Sequence, residues 1–410
     1  MTAPAAGSAP RRSWLVPAVL MLASTVGILA TDLYTPSLPR LTVVFGVPAE
    51  TVQLTMTLNL AGFALGQLLY GPLSDRFGRR PAMLFGLAAF AVFSVLCGLA
   101  WSIESLIALR IGQGLVGACE AVIGMAVIKE LYGEKDGVRI VAIYAMVIAA
   151  APAVGPIVGG QMLVHFGWAS NFWLLTGLAL LALAACWRFL LETARPDRSA
   201  LRPSRLVVEA RAALSVPAFW LYTIGPAAAL GGLFAYVTEG PFVLIHQLGV
   251  PPDAFGYYHA VIVGVFFCTN IAVNRVASRI SGAGLLRGGS IAAVASGALA
   301  LGLVAAEAMT AIALVVAMGL FAVALALIYA VAPLQALAST KAATGMAASW
   351  RGFLEMSGAM IGSAGVTVLH DGTPWPLAIV LAAAAVVIVA GDVGARRFAP
   401  KRASVAVTPS

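Results

Sequence analysis

Apolar runs of about 20 residues recur from one end of this chain to the other, each broken by a short polar or basic stretch. Each run is long enough to cross about 30 Å of hydrocarbon as a helix that satisfies its own backbone hydrogen bonds. The pattern predicts twelve spans, near 14–36, 50–71, 81–101, 105–128, 140–164, 171–191, 217–238, 255–274, 285–306, 310–333, 343–367 and 374–394. The longest hydrophilic stretch, 192–216, carries Arg195, Arg198, Arg202, Arg205 and Arg211 and divides the spans six and six. The expected fold class is therefore an all-α membrane protein. A six-helix bundle occupies 1–191, a linker 192–216, a second bundle 217–396 and a tail 397–410.

A faint internal correspondence supports two halves. Asn274-Arg275-Val276-Ala277-Ser278-Arg279 follows the eighth span much as Asp75-Arg76-Phe77-Gly78-Arg79-Arg80 follows the second. Parallel repeats related by an axis along the membrane normal produce such a pattern and place a cavity between them near the bilayer midplane.

Composition excludes a soluble protein. The 410 residues are 61% hydrophobic and 10% charged, with a mean hydropathy of +0.95, where a globular surface needs about 25% charged residues. The net charge of +8 does not imply nucleic acid. With the N-terminus in the cytoplasm, every Lys and Arg falls on a cytoplasmic segment except Arg40, Arg110 and Arg351. That is the positive-inside pattern, and it predicts that both termini are cytoplasmic. Arg11 and Arg12 imitate the start of a signal peptide, but the following run is too long and eleven more succeed it. Cys97, Cys119, Cys186 and Cys268 lie in spans without paired spacing, so neither a disulfide nor a metal site is expected.

The candidate chemistry lies in the few polar residues that the spans retain. Between spans 2 and 3, Gly71 and Gly78 let the backbone turn, Asp75 can cap a helix or pair with an arginine, and Arg76, Arg79 and Arg80 can anchor to headgroups. Asp32, one turn before Pro36, would cost about 2.5 to 3.5 kcal/mol if ionised and unpaired at the bilayer centre. It is a candidate proton carrier or binding-site anion, unless water reaches it from outside. Arg110 is a permanent cation within span 4 and needs carbonyls, water or a carboxylate. Glu120 is ten residues along the same helix, about 15 Å by helical rise, so it is not a direct partner of Arg110. It either tunes substrate and protonation or snorkels toward cytoplasmic water.

Arg351 and Glu355 share a helix face and can neutralise one another. Glu239, ahead of Gly240-Pro241, is expected to be a wetted gate residue. Gly155-Pro156 and Gly159-Gly160 permit a kink and close helix packing. Asn59, Gln67, Tyr144, Tyr236 and Asn270, with Arg351 and Glu355, are candidate cavity residues. Gly112-Gln113-Gly114-Leu115-Val116-Gly117 matches a dinucleotide fingerprint only formally, since no strand precedes it. No metalloprotease, Walker or hydrolase signature occurs, so neither an enzyme nor an ATP-driven pump is expected.

Four blocks now carry a resemblance: Thr31 to Pro39, Gly71 to Arg80, Leu109 to Gly114, and Gly155 to Gly160. Gly240 to Val243, Phe255 to Tyr258 and Trp375-Pro376 add to it. Over about residues 14–396 the chain resembles the major facilitator superfamily, in particular its twelve-span drug:proton antiporter branch and the Bcr/CflA group. The resemblance implies a major facilitator fold in the bacterial inner membrane, working as a monomer by alternating access. It implies that the Gly71 to Arg80 segment is a cytoplasmic latch, that Arg110 takes part in proton coupling with Asp32 and Glu120 as carboxylate candidates, and that the Gly155 to Gly160 block marks an antiporter. The expected partners are protons, the lipid bilayer and a small organic substrate, with no cofactor beyond the proton gradient. The substrate is a drug such as bicyclomycin or a phenicol. The alternative is an endogenous metabolite such as an alcaligin-type siderophore, which the extra charges Glu120, Glu239, Arg351 and Glu355 would suit. A channel and a non-transporting sensor are rivals of another class. A channel predicts a ring of like residues and a sensor an appended signalling domain.

Overall fold

The computed structural model describes residues 14–194, 196–197, 199–276, 279–340 and 344–398. Arg11, Arg12, Arg195, Arg198, Ala277, Ser278 and the tail beyond 398 lie outside them. The helices in chain order are α1 Leu15–Asp32, α2 Leu38–Phe45, α3 Ala49–Phe77, α4 Arg79–Gly98, α5 Ile103–Phe166, α6 Ser170–Phe189, α7 Pro203–Leu214, α8 Pro217–Pro241, α9 Pro252–Val276, α10 Gly282–Ala305, α11 Ala311–Tyr329, α12 Ala332–Ala338, α13 Thr344–Leu369 and α14 Trp375–Phe398. Among the described residues twelve helical segments are long and apolar enough to cross a membrane, as the hydrophobic pattern predicts.

Residues Ile103–Phe166 are all helical, yet this element cannot be straight. Its 64 residues would extend to about 96 Å. Instead Gly124 lies so near Tyr144 that an added Cβ would stand 2.9 Å from the tyrosine hydroxyl. The chain therefore reverses between them, and α5 supplies two antiparallel arms corresponding to the fourth and fifth predicted spans.

The segment between spans 2 and 3 is shorter than its polar sequence suggests. Helix α3 runs through Pro72 to Phe77, and α4 starts at Arg79, so the turn reduces to Gly78 with φ +100°. An L side chain is strained in that conformation. A Cβ would also collide with the Glu192 carboxylate, which accepts hydrogen bonds from the first backbone N–H groups of α4, at Arg79 (2.8 Å) and Arg80 (3.2 Å). Glu192 thus supplies the N-terminal cap that Gly78 cannot.

Two sets of helices pack around the long axis. Helices α1, α3, α4, α5 and α6 form one; α8 to α11, α13 and α14 form the other. They meet chiefly where α3 lies against α13 and the second arm of α5 against α9. Helix α7, in the linker, contacts α8 and α13, and Thr340 donates to the Ala212 carbonyl at 3.1 Å.

Candidate functional site

A cavity of about 560 Å³ opens between the two sets at the end that carries the Gly78 turn. Gln67, Gly71, Pro72 and Asp75 of α3, Met125, Lys129 and Glu130 of α5, and Ser349, Arg351, Glu355 and Met356 of α13 line it, with Glu209 of α7 at its mouth. Its size suits a small organic ligand. Met125 and Met356 give adaptable apolar wall. The polar lining converges on Arg351 and Glu355, whose Nη1 and Oε1 are 2.5 Å apart one helical turn from each other. Of the candidate cavity residues, Gln67, Arg351 and Glu355 line this space. Asn59, Tyr144, Tyr236 and Asn270 do not. Asn59 is buried and donates to the Arg110 carbonyl at 2.8 Å; Tyr144 is buried against Ser24, with their hydroxyls 2.5 Å apart; Tyr236 is buried and stacked on His259; Asn270 bonds to Phe266 of its own helix.

Arg110 has no accessible surface. Its Nη1 donates to the Ala30 carbonyl at 2.9 Å and to Gln113 Oε1 at 2.5 Å, and its guanidinium stands 4.6 Å from the centre of the Tyr34 ring. Gln113 in turn donates to Ser94. Carbonyl, amide and aromatic face together hold the cation, and no carboxylate among the described residues forms an ion pair with it. Asp32 ends α1, is 5% exposed and lies beside Gly155, where a Cβ would stand 3.0 Å from the Asp32 Cβ. The glycine of the α5 motif therefore makes room for the carboxylate. Gly159 gives the same clearance to the Leu33 carbonyl, and Gly160 to the backbone of Pro252 and Asp253 in the other set.

Glu120 is not a snorkelling residue. It is 1% exposed, and its Oε2 accepts the Gly27 N–H at 2.6 Å, so it is wedged between α5 and α1 within one set. Toward the cavity mouth, Arg79 pairs with Asp75 at 2.6 Å and Glu130 at 3.0 Å, and Thr193 donates to Glu130 at 2.5 Å. Arg80 donates to the Trp187 carbonyl at 2.7 Å, and Arg76 lies 5.5 Å from the Phe77 ring centre. Asp75 also accepts the Asp197 N–H on its backbone carbonyl at 2.9 Å. All these bonds stay within the first set and the start of the linker.

The opposite end is shut. Gly256 of α9 sits against the backbone of Pro156 and Ile157, with no space for a side chain. Glu239, expected to be wetted, has no accessible surface. Its Oε2 accepts from Gln53 Nε2 of α3 at 2.6 Å, and its Oε1 lies 3.0 Å from His370 Nδ1 beyond α13. Below this, Thr57 and Thr238 each reach Ser363, at 2.7 and 2.8 Å. Sequence reasoning missed Gln53 and His370. The available signal was three polar residues at span ends that twelve alternating crossings bring to the same side.

Comparison with known proteins agrees with this architecture. The sequence profile of the Major Facilitator Superfamily matches residues 20–363. The chain is 34% identical over 277 residues to a chloramphenicol resistance protein of Pseudomonas aeruginosa, covering 66% of this chain and 65% of that protein. It is 31% identical over 275 residues to a bicyclomycin resistance protein homologue of Haemophilus influenzae, covering 64% and 68%. It is also 31% identical over 281 residues to the multidrug transporter MdfA of Yersinia pestis, covering 68% of each. Among solved structures, a bacterial homologue of the human lysosomal transporter Spinster, inward-facing and unoccupied, superposes with a TM-score of 0.74 at 16% identity, covering 95% of this chain and 98% of that one. The D-xylose-proton symporter gives 0.69 at 15% identity, covering 92% and 97%. At such identities these two likenesses concern the fold alone.

Proposed function

Because this chain belongs to the Major Facilitator Superfamily and groups with its bicyclomycin and chloramphenicol resistance proteins, we propose that it exports small organic drugs across the bacterial inner membrane in exchange for protons. The alignment spans about two thirds of the length of these relatives (65% for the first and 68% for the other two). The observation that carries the reading is the cavity between the two helix sets, open at the basic end and shut at the other. The positive-inside pattern makes the basic end cytoplasmic, so the cavity faces the compartment from which a drug is removed.

The cavity takes up substrate against Gln67, the Arg351–Glu355 pair and the methionine walls. Asp32 changes protonation at the end of α1, next to the glycine-lined face of α5. Arg110, held by Ala30 two residues before Asp32, supplies the fixed positive charge of that region. The sets then rock about the α3–α13 and α5–α9 contacts. The driving force is about 2.3 kcal/mol per charge per 100 mV, with about 1.36 kcal/mol per pH unit for each proton. That these relatives are resistance proteins and a multidrug transporter supports drugs over an endogenous siderophore.

Proteoliposomes test this. Addition of chloramphenicol or bicyclomycin should change lumenal pH in the native chain, and Asp32→Asn should abolish that coupling while drug binding changes less than about tenfold. Unaltered proton-coupled transport in Asp32→Asn would remove Asp32 from the mechanism, and a response only to siderophores would overturn the substrate class.

A further inference from the structure

We propose that Glu239 and His370 form a second proton-binding site, reached from the shut end, whose bound proton holds that end closed through Gln53. This rests on the reading of two helix sets that alternate. Three helices from both sets converge here. Gln53 comes from α3, Glu239 from α8 and His370 from the position that follows α13. Both Glu239 oxygens face His370 Nδ1, at 3.0 and 3.1 Å, while Gln53 Nε2 approaches the same nitrogen at 3.3 Å. The Glu239 side chain is fully covered, whereas that of His370 keeps 11% of its surface. The histidine is therefore the group through which a proton enters and leaves.

A carboxylate sealed from water without a counter-charge is expensive. The Gln53 amide donates a hydrogen bond to Glu239 but brings no charge. His370 can bring both, as imidazolium, and the edge of Phe242 covers its ring at 5.6 Å between centroids. The other charged groups acting on the histidine are acids, Glu50 from α3 and Asp371 from its own loop. Among the described residues the counter-charge to Glu239 is thus the protonated histidine, which makes the pair neutral. The Thr57–Ser363–Thr238 hydroxyls, on the same three helices, are neutral. Titration at this layer therefore rests on the Glu239–His370 pair.

The direction follows from the environment. The hydrogen bond to Glu239 raises the His370 pKa above its ordinary value; burial opposes this, and the charges of Glu239, Glu50 and Asp371 add to the rise. When the sets part, Glu239 is hydrated and His370 returns toward about 6.5. The shut form then holds the proton more tightly. Its extra stability is fully present below the open-state pKa and is lost as pH rises through the shut-state pKa. An acidic exterior therefore speeds re-closure of an outward-open carrier, the direction that proton-driven export needs.

Spin labels at Trp101→Cys and Ala308→Cys, both exposed at the shut end, in a Cys268→Ser background in lipid nanodiscs, test this without substrate or gradient. In the otherwise native chain the long-distance population should grow as pH rises from about 5 to 8. His370→Gln should flatten that profile, and Glu239→Gln should move its midpoint downward. A profile unchanged in His370→Gln overturns the proposal, as does the absence of any pH response in the native chain. Should His370→Gln fail to fold, an unmoved midpoint in Glu239→Gln overturns it equally. A long distance that no pH or variant populates would sink both this proposal and the alternating reading. A normal pH profile in a chain that moves no drug would sink only the assigned transport.

Discussion

The two ends of the bundle use charge in opposite ways. At the open end, Asp75, Arg79, Glu130, Glu192 and Thr193 satisfy one another within a single helix set and its linker. The other set can move away without leaving any of these charges unpaired. At the shut end, Glu239 takes a bond from across the boundary and is otherwise paired only with His370. Opening that end exposes or strands a charge. The lesson is that a gate is cheap to part where charges are locally paired and costly where they bridge.

The strongest way to break this contrast is to fill the shut end. Gly256→Leu drives a side chain into the Ile157 backbone, and overpacking of that kind costs up to about 3 kcal/mol. Against the shut form alone, this moves the equilibrium by about 100-fold at 1.4 kcal/mol per decade. The spin-label distances described above should then be long at every pH, and drug binding from the cytoplasmic side should fall.

A smaller effect sharpens the role of the open cavity. Arg351→Gln and Glu355→Gln, alone and combined, should show a coupling of about 0.5 to 3 kcal/mol in drug affinity measured by calorimetry. Additive effects would make the pair a bundle strut that the ligand ignores. Smallest of all is Arg79→Gln. Its ion pairs lie at the cavity mouth, with the Asp75 side chain 47% exposed and that of Arg79 13%, so each contributes near the upper end of the about 0.2 to 1 kcal/mol of exposed pairs. Thermal unfolding in detergent should shift by a few degrees at most, with a smaller change in drug affinity than Arg351→Gln produces. A large loss of affinity would show that this cluster bridges the sets after all.

Much of this was legible in the chain. The twelve spans follow from length and hydropathy, because a backbone in hydrocarbon has to be helical to pair its own polar groups. The glycines of the α5 block announced close packing, and the structure gives each a role: Gly155 clears Asp32, Gly159 clears Leu33, and Gly160 reaches the other set. Glu239 shows where sequence reading stops. Its place at the end of an apolar run suggested water, and tertiary packing removed the water. Glu120 is the same case, since only the approach of Gly27 turns an inward-half carboxylate into a buried acceptor.

Taken alone, the sequence determined what crosses the membrane, how many times, which end is basic and which charges have to be accommodated. Hydrophobicity and helical rise act locally, so they can be read residue by residue. The tertiary structure decided which charges meet. Gln53 lies 186 positions from Glu239, and His370 lies 131 from it. No local propensity selects such partners; the packing of α3, α8 and α13 does, by excluding water from one end of the bundle and admitting it at the other.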